Sequence, residues 1–234
     1  MKLRMRSLSG VVVVLMGGIL PVSASTITYN FGQVSSGSAP TGSAPWLQAV
    51  FSDSSMPANT VQLTLTAGNL VGSEFVSCWY FNVNPALDPK ALSFSLAGST
   101  GTFGNPSVQT EANGFKAGPD GKFDILLGFS TASGQRFTGG DSLTFTITDL
   151  NGLTASDFND FSTPASGSGA YSSAVHVQSI GDGSSGWINP ASITANEQRL
   201  PAVPDGSETV ALLGVSLLAI EGLRRKLQAR PLPQ

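Results

Sequence analysis

The residues of this chain that could do chemistry are few and widely spaced. The sequence holds one histidine, His176, and one cysteine, Cys78. A zinc site needs more ligands than this pair supplies, and a nucleophilic Cys–His pair needs a third group that orients the base. We therefore predict that Cys78 is a small buried apolar residue and that His176 hydrogen-bonds to a loop. We also predict that the protein is not an enzyme and uses no cofactor.

Carboxylates offer two further sites. Asp120 and Asp124 flank a tight turn, where carboxylate and carbonyl oxygens could bind Ca²⁺. The turn lacks the ligands of an EF-hand loop and Lys122 lies between the two aspartates, so the alternative is a β-turn with Asp124 facing solvent. Calcium is a weak candidate here, and no metal is predicted. Glu74 and Glu111 could form a glycosidase acid–base pair with an aspartate, but their spacing does not establish a carboxylate separation.

Aromatic side chains could stack on the apolar faces of sugars. Most of them are expected to form the core of the domain. Trp187 lies in a segment rich in Gly and Ser, so we predict an exposed loop there and name Trp187 as a weak ligand-binding candidate. Threonine-bearing strand faces are also found in ice-binding arrays, but threonine is an ordinary residue of exposed strand faces.

Only 12% of the 234 residues are charged, against about 25% in average soluble proteins. The net charge is −3, which disfavours nucleic acid as a partner. The composition also excludes a coiled coil, a disulfide scaffold and a disordered chain. The charges are unevenly spread, because residues 25–201 hold five basic and twelve acidic residues, a net charge of −7, between two basic ends.

Hydrophobic residues in the body follow a period of two, which indicates strands with one buried and one hydroxyl-rich face. The alternation is clear at residues 61–66, 92–96, 123–129 and 143–148. Residues 74–82 are apolar on both faces, which is typical of a central strand. Further strands are predicted at 27–31, 46–52 and 174–180, and a helical turn capped by Thr154 is predicted at 154–158.

Turn signals separate these strands, as at Asn84-Pro85 and Gly139-Gly140-Asp141. Eight or nine short antiparallel strands at this spacing predict an all-β fold, a two-sheet β-sandwich of jelly-roll type. We assign residues 25–196 to this domain and residues 197–202 to a linker. Residues 181–186 are read as a glycine- and serine-rich loop.

The first 24 residues are typical of a signal peptide. Three basic residues precede the apolar run 11–20, and Val22-Ser23-Ala24 is a small-residue cleavage pattern. We predict cleavage between Ala24 and Ser25, with the Sec translocon and signal peptidase as partners. The alternative, an uncleaved anchor, is disfavoured because the run is about half of the roughly 20 residues that a spanning helix needs.

The last segment, residues 203–234, combines a turn, a short apolar helix and a basic cluster. As a helix, residues 210–223 would span about 21 Å, against about 30 Å of hydrocarbon. The basic cluster would stay in the cytoplasm, which places the body outside it. The run 210–220 is apolar on all sides, so it favours a short transmembrane helix over an amphipathic helix packed on the domain.

This tail resembles the C-terminal sorting signal of the PEP-CTERM class, in its Val-Pro-Asp variant. The matching residues are the motif Val203, Pro204, Asp205, Gly206 and Ser207, the helix 210–223, and the basic cluster Arg224, Arg225 and Lys226. Glu208 and Glu221 depart from the usual pattern. The resemblance implies an exosortase as processing partner, a Gram-negative source that makes exopolysaccharide, and passage through the inner membrane to the cell surface or beyond.

The body also resembles a cargo domain that recurs in front of such tails, through segments 74–82, 121–125, 174–178 and 185–188. That group has no settled activity. The hydroxyl-rich strand faces and the scarcity of catalytic residues instead favour a structural or adhesive role in an exopolysaccharide matrix, with exopolysaccharide as a partner. The alternative is a secreted carbohydrate-binding or carbohydrate-active module, which a concave groove with two carboxylates and exposed tryptophans would favour.

N-terminal sequencing of the exported protein tests the predicted cleavage. The first residue is expected to be Ser25, because the small residues Val22-Ser23-Ala24 fit a signal peptidase. A protein that still begins at Met1 would refute the assignment of residues 1–24.

Overall fold

The computed structural model describes residues 24–163 and 170–198, and these residues confirm the predicted all-β class. They form eleven strands and two short 3₁₀ turns, and this part of the chain contains no α-helix. The strands are β1 Ala24–Gly37, β2 Leu47–Ser52, β3 Thr60–Thr66, β4 Phe75–Phe81, β5 Ser93–Thr100, β6 Ser107–Lys116, β7 Lys122–Gly128, β8 Phe137–Thr138, β9 Ser142–Thr148, β10 Ser173–Ile180 and β11 Ser184–Gln198. The 3₁₀ turns are η1 Pro89–Ala91 and η2 Ala155–Phe158.

Two predicted helices belong to the ends of the chain. The signal helix within residues 1–24 and the transmembrane helix within residues 203–234 lie outside the described residues, apart from Ala24. In the described ranges, no helix is long and apolar enough to cross a membrane.

Strands with a strong alternation form where the sequence predicts them. In β3 and β9, for example, Leu63 and Phe145 are buried while the threonines between the apolar residues are partly exposed. The central position of β4 is also confirmed, since it pairs with β10, β7 and β8. The turn η2 forms at its predicted place, with the side chains of Thr154 and Asp157 in a capping box.

Three strands were missed, and one loop assignment was wrong. β6 carries a mostly exposed polar sequence and β8 has only two residues, so neither shows a hydrophobic period. β11 begins at Ser184, inside the segment 181–186 for which the sequence predicts a loop. It also runs through Glu197 and Gln198, which pair with Ser25 and Ala24 at the start of the predicted linker. The small residues of β11 are held by backbone pairing to two neighbours, which leaves little trace in the sequence.

All eleven strands belong to one antiparallel sheet, in the order β5-β9-β3-β2-β1-β11-β10-β4-β7-β6, with β8 beside β4. The antiparallel, sandwich-like arrangement is confirmed, but the strands pair as one continuous sheet where the sequence predicted two. The long antiparallel pair β1–β11 lies in the middle of this order and connects the two halves of the sheet. The first half of β1, Thr26–Phe31, pairs with β2 on one side and with β11 on the other. Its last residues, Val34–Gly37, pair only with β11, at the residues of β11 that pair with β10 on their other side.

The ladder between β1 and β11 is interrupted where the sheet changes direction. Register shifts lie on both sides of Phe31 and between Val34 and Ser36. Such irregularities bend a strand and increase its twist. The bend allows the two halves of one sheet to face each other, so the domain is sandwich-like although its hydrogen bonding is continuous.

The two inner faces meet in a core of aromatic rings. Phe31 on β1 contacts Trp79 on β4 edge to face, with ring centroids 5.1 Å apart. Phe51 on β2 contacts Phe81 on β4 at 5.0 Å and stacks on Phe158 of η2 at 4.2 Å. All five side chains are fully buried. The core therefore joins strands that lie far apart in the sheet.

The sheet ends at β5 and β6, whose outer edges carry no strand partner among the described residues. The alternation at 92–96 predicted one buried face for this segment. Leu92 is indeed buried, but Leu96 is 45% exposed. An edge strand has a neighbouring strand on one side only, so its apolar side chains are less buried than their alternation predicts.

Replacement of Phe81 by alanine tests the core. Phe81→Ala removes a ring that contacts both halves of the sheet, and it should lower the free energy of unfolding by about 3–5 kcal/mol. Leu150→Ala is the control, because Leu150 is 94% exposed and should change the free energy by less than about 0.5 kcal/mol. Denaturant unfolding measures both, and equal effects would contradict the assigned core.

Candidate functional site: an acidic groove beside the end of β4

A groove of about 400 Å³ opens where the chain leaves β4. Its walls come from the segment after β4, from an irregular part of β6, from β7 and from the loop that follows η2. We call it the acidic groove, because two aspartates line it. Its lining residues are Asn82, Val83, Pro85, Leu87, Pro89, Ala112, Asn113, Asp124, Asp160, Phe161 and Thr163.

One of these aspartates, Asp124, has a structural role. Its Oδ1 accepts a hydrogen bond from the backbone N–H of Asn113 at 2.7 Å, and its Oδ2 accepts one from the N–H of Val83 at 3.1 Å. The side chain is 9% exposed, so the prediction that Asp124 faces solvent was wrong. Its carboxylate joins β7 to two walls of the groove.

The other aspartate, Asp160, is available to a ligand. It is half-buried on the groove wall, and its pKa is raised by burial first and then by the negative charges of Asp157 and Asp124. A carboxyl group in this position can exchange hydrogen bonds with hydroxyl groups of a ligand.

The rim of the groove presents an aromatic ring next to polar groups. Phe161 is 63% exposed. Thr163 is held by reciprocal backbone hydrogen bonds with Lys122 (2.9 and 3.1 Å), and its hydroxyl donates to the amide oxygen of Asn113. Asn82 is 2% exposed and lines the floor beside them. The groove therefore combines an apolar platform with amide, hydroxyl and carboxyl groups.

Asp120, the second calcium candidate, lies away from solvent and has a different environment. It is fully buried, and its Oδ2 accepts a hydrogen bond from Nδ2 of Asn189 at 3.1 Å. Burial raises its pKa, against the hydrogen bonds from Ser35 and Asn189. Asp120 and Asp124 thus have separate partners. Within residues 24–163 and 170–198, no group of three His, Cys, Asp or Glu side chains is placed to hold a metal ion.

Glu74 and Glu111, the candidate acid–base pair, also have separate partners. Glu74 is buried and accepts hydrogen bonds from the backbone N–H groups of Thr41 and Val71 at 2.7 and 2.9 Å. Glu111 lies on β6 and forms an exposed ion pair with Lys90 at 2.7 Å. Glu74 therefore fixes two loops, while Glu111 pairs with the turn η1.

The structure corrects the position of Trp187. This residue lies on β11 and not in an exposed loop, and it is half-buried. Its ring stacks on His176 with centroids 4.7 Å apart. The turn between β6 and β7 covers it closely, since a Cβ atom at Gly118 would lie 2.5 Å from the indole ring. Trp187 is held by packing on the outer face of the sheet.

His176 and Cys78 do meet, as cross-strand partners between β10 and β4. The histidine Nδ1 makes its hydrogen bond with Oγ of Ser77 at 2.8 Å, so its partner is a strand residue and not the predicted loop. Cys78 is half-buried instead of fully buried, in a small cluster with Tyr80.

Asp160 and Phe161 were not singled out from the sequence. The only local signal for a site is that Phe161 lies between the polar residues Asp160 and Ser162, at the start of a glycine- and serine-rich stretch where an exposed loop is expected. The sorting motif (Val203 to Ser207) and the basic cluster (Arg224 to Lys226) lie outside the described residues.

The stacked pair His176–Trp187 gives a pH prediction. Burial lowers the pKa of His176 below its usual 6.5, so the folded protein favours neutral imidazole. The stability from this preference is complete above the unfolded pKa of about 6.5 and is lost as the pH falls through the folded pKa. In an NMR titration of this single histidine, Trp187→Ala should move the pKa upward, and an unchanged value would contradict the role of the indole ring.

Comparison with known proteins assigns the tail. Residues 202–227 match the family model of the VPDSG-CTERM motif. This confirms the resemblance to a sorting signal of the PEP-CTERM type. No curated protein matches the chain, and no solved structure does. The chain therefore contains a β-rich body and, after it, a C-terminal sorting signal of the PEP-CTERM type.

Proposed function

We propose that this protein is an exported matrix component whose body has a structural or adhesive role in exopolysaccharide. The match at residues 202–227 carries the first part of this proposal, because a sorting signal of this type implies export, processing by an exosortase and membrane-associated sorting to the cell surface. We further propose that the Sec translocon exports the chain, that it passes through the inner membrane, and that its body acts in the matrix.

The hydrogen bonding of the body supports a binding role in preference to catalysis. Asp124 and Glu74 use their carboxylate oxygens to accept backbone N–H groups, and Asp53 does the same. A general acid or base must be free to exchange a proton with a substrate. These carboxylates are instead engaged in holding loops.

The acidic groove is the part of the body that best fits a polysaccharide. The exposed ring of Phe161 can contact the apolar face of a sugar, and Asp160, Asn113 and Thr163 can exchange hydrogen bonds with its hydroxyl groups. Among the described residues, the groove lining contains no basic side chain, so neutral sugars or amino sugars suit it better than anionic ones.

The alternative, a carbohydrate-active module, rests on one observation. Asp124 and Asp160 line the same groove, as two carboxylates do in glycoside hydrolases. The tryptophans argue against it, because Trp46 and Trp79 are buried and Trp187 is packed against His176. Release of reducing ends from the exopolysaccharide by the wild-type protein, abolished in Asp160→Asn, would establish this alternative.

Deletion of residues 203–234 tests the sorting proposal. The truncated body should no longer reach its normal place at the cell surface, because the exosortase has lost its recognition segment. Deletion of residues 228–234, which lie beyond the matched motif, is the control and should leave localisation unchanged. Immunoblots of surface, membrane and periplasmic fractions report the result. A truncated body that is sorted normally would refute the proposal.

Substitutions in the acidic groove test the binding proposal. Phe161→Ala and Asp160→Asn should each weaken retention on purified exopolysaccharide by about tenfold, which corresponds to about 1.4 kcal/mol of binding free energy. Leu150→Ala and Asp182→Asn are matched controls, since both residues are exposed and neither lines the groove. Equal retention of all four variants in a co-sedimentation assay would contradict a role for the groove.

A further inference from the structure

The backbone nitrogen of Ser25 is bound by a carboxylate. Ser25 N donates to Oδ1 of Asp53 at 2.6 Å, and the Ser25 hydroxyl donates to Oδ2 of the same residue at 2.8 Å. Asp53 returns the contact, because its own backbone N–H donates to the carbonyl oxygen of Ser25 at 3.2 Å. Three hydrogen bonds therefore fix one residue at the start of β1 to one residue after β2.

The position of this contact in the fold is defined by three elements. Asp53 directly follows β2, and its Oδ2 also accepts the backbone N–H of Ala155 in η2 at 2.9 Å. Ser25 is 6% exposed and Asp53 is half-buried. The carboxylate is thus already oriented by the domain, with Oδ1 directed at the nitrogen of Ser25.

The sequence predicts that the bond next to this nitrogen is cut. Hydrolysis of the bond between Ala24 and Ser25 by signal peptidase consumes one water molecule. A carboxylate forms on Ala24, which leaves with the signal peptide, and the amine released on Ser25 takes up a proton. The atom that donates to Asp53 then changes from a neutral peptide N–H to a positively charged ammonium group.

We propose that Asp53 is the binding site for the α-ammonium group of the mature chain. Cleavage after Ala24 replaces the neutral donor by a positively charged one, so a Coulomb attraction between opposite charges is added to the hydrogen bond that the Asp53 carboxylate already accepts. In a chain cut one residue earlier, Ser25 N would remain a neutral peptide N–H, and the ammonium group would lie on Ala24, away from Oδ1 of Asp53. The site therefore favours one N-terminus and couples signal-peptide removal to the stability of the folded body.

The other carboxylates that bind backbone N–H groups do not have this property. Glu74, Asp124 and Asp157 accept from Val71, Val83 and Thr154, which lie inside the chain and are never termini. Asp53 is the member of this group that faces the predicted cleavage site. This contact forms whatever ligand the body binds and whatever its role in the matrix.

The experiment compares two forms of the mature chain, one that begins at Ser25 and ends at Gln234 and one with Gly-Ala24 added before Ser25. Both are released from a cleavable fusion and unfolded with denaturant in mild detergent. The Ser25 form should have an unfolding equilibrium constant smaller by a factor of about 5–30. The same comparison is made with Asp53→Asn, where the difference should fall below about twofold because the partner charge is gone.

Equal differences in the wild-type and Asp53→Asn backgrounds would overturn the proposal, as would the absence of any difference in the wild type. Asp182→Asn is the matched control, because this exposed aspartate should leave the difference unchanged. If Asp53→Asn does not fold, the two wild-type forms are compared at low and high salt, where the advantage of the Ser25 form should shrink. N-terminal sequencing of the exported protein that gives a residue other than Ser25 would also overturn it.

Discussion

The antiparallel pair β1–β11 is the interaction on which the rest of the domain depends. Each half of the sheet is attached to it, β2 at the first half of β1 and β10 at the first half of β11. Its register shifts lie on both sides of Phe31, where irregular pairing bends the strand, and the ring of Phe31 packs edge to face against Trp79 on β4. The two halves of one continuous sheet pack against each other, so their inner faces bury the hydrophobic core while every neighbouring strand remains hydrogen-bonded.

A second constraint explains the low charge of the body. Most of its carboxylates are acceptors for backbone N–H groups at strand ends and turns, where the sheet leaves donors unpaired. Asp141 accepts from Thr138, and Asp149 accepts from Asn151, in the same way as Glu74 and Asp124 do. Few basic residues are needed in such a structure, since the partners of the acids are peptide groups. An acidic body with hydroxyl-rich strands follows from this arrangement.

The acidic groove arises from these two constraints. The chain leaves β4 at Asn82 and is held by Asp124 on one side, while the N–H and amide of Asn84 bind Asp157 of η2 on the other. The turn η2 is itself fixed by the stacking of Phe158 on Phe51. Two walls of the groove are thus connected to β7 and, through η2, to the aromatic core, and Asp160 and Phe161 follow η2 directly in the chain.

The sequence by itself determined the strand-forming segments with a strong apolar period, the capped turn at 154–158 and the C-terminal sorting signal, because each of these depends on local spacing. Only the tertiary structure decided that the strands form one bent sheet, since backbone pairing between β1 and β11 is independent of side-chain type. It also decided that Asp124 is buried and Trp187 is packed, and that Asp160 and Phe161 share a groove. Those properties depend on which distant segments cover a residue, and spacing along the chain contains no record of that.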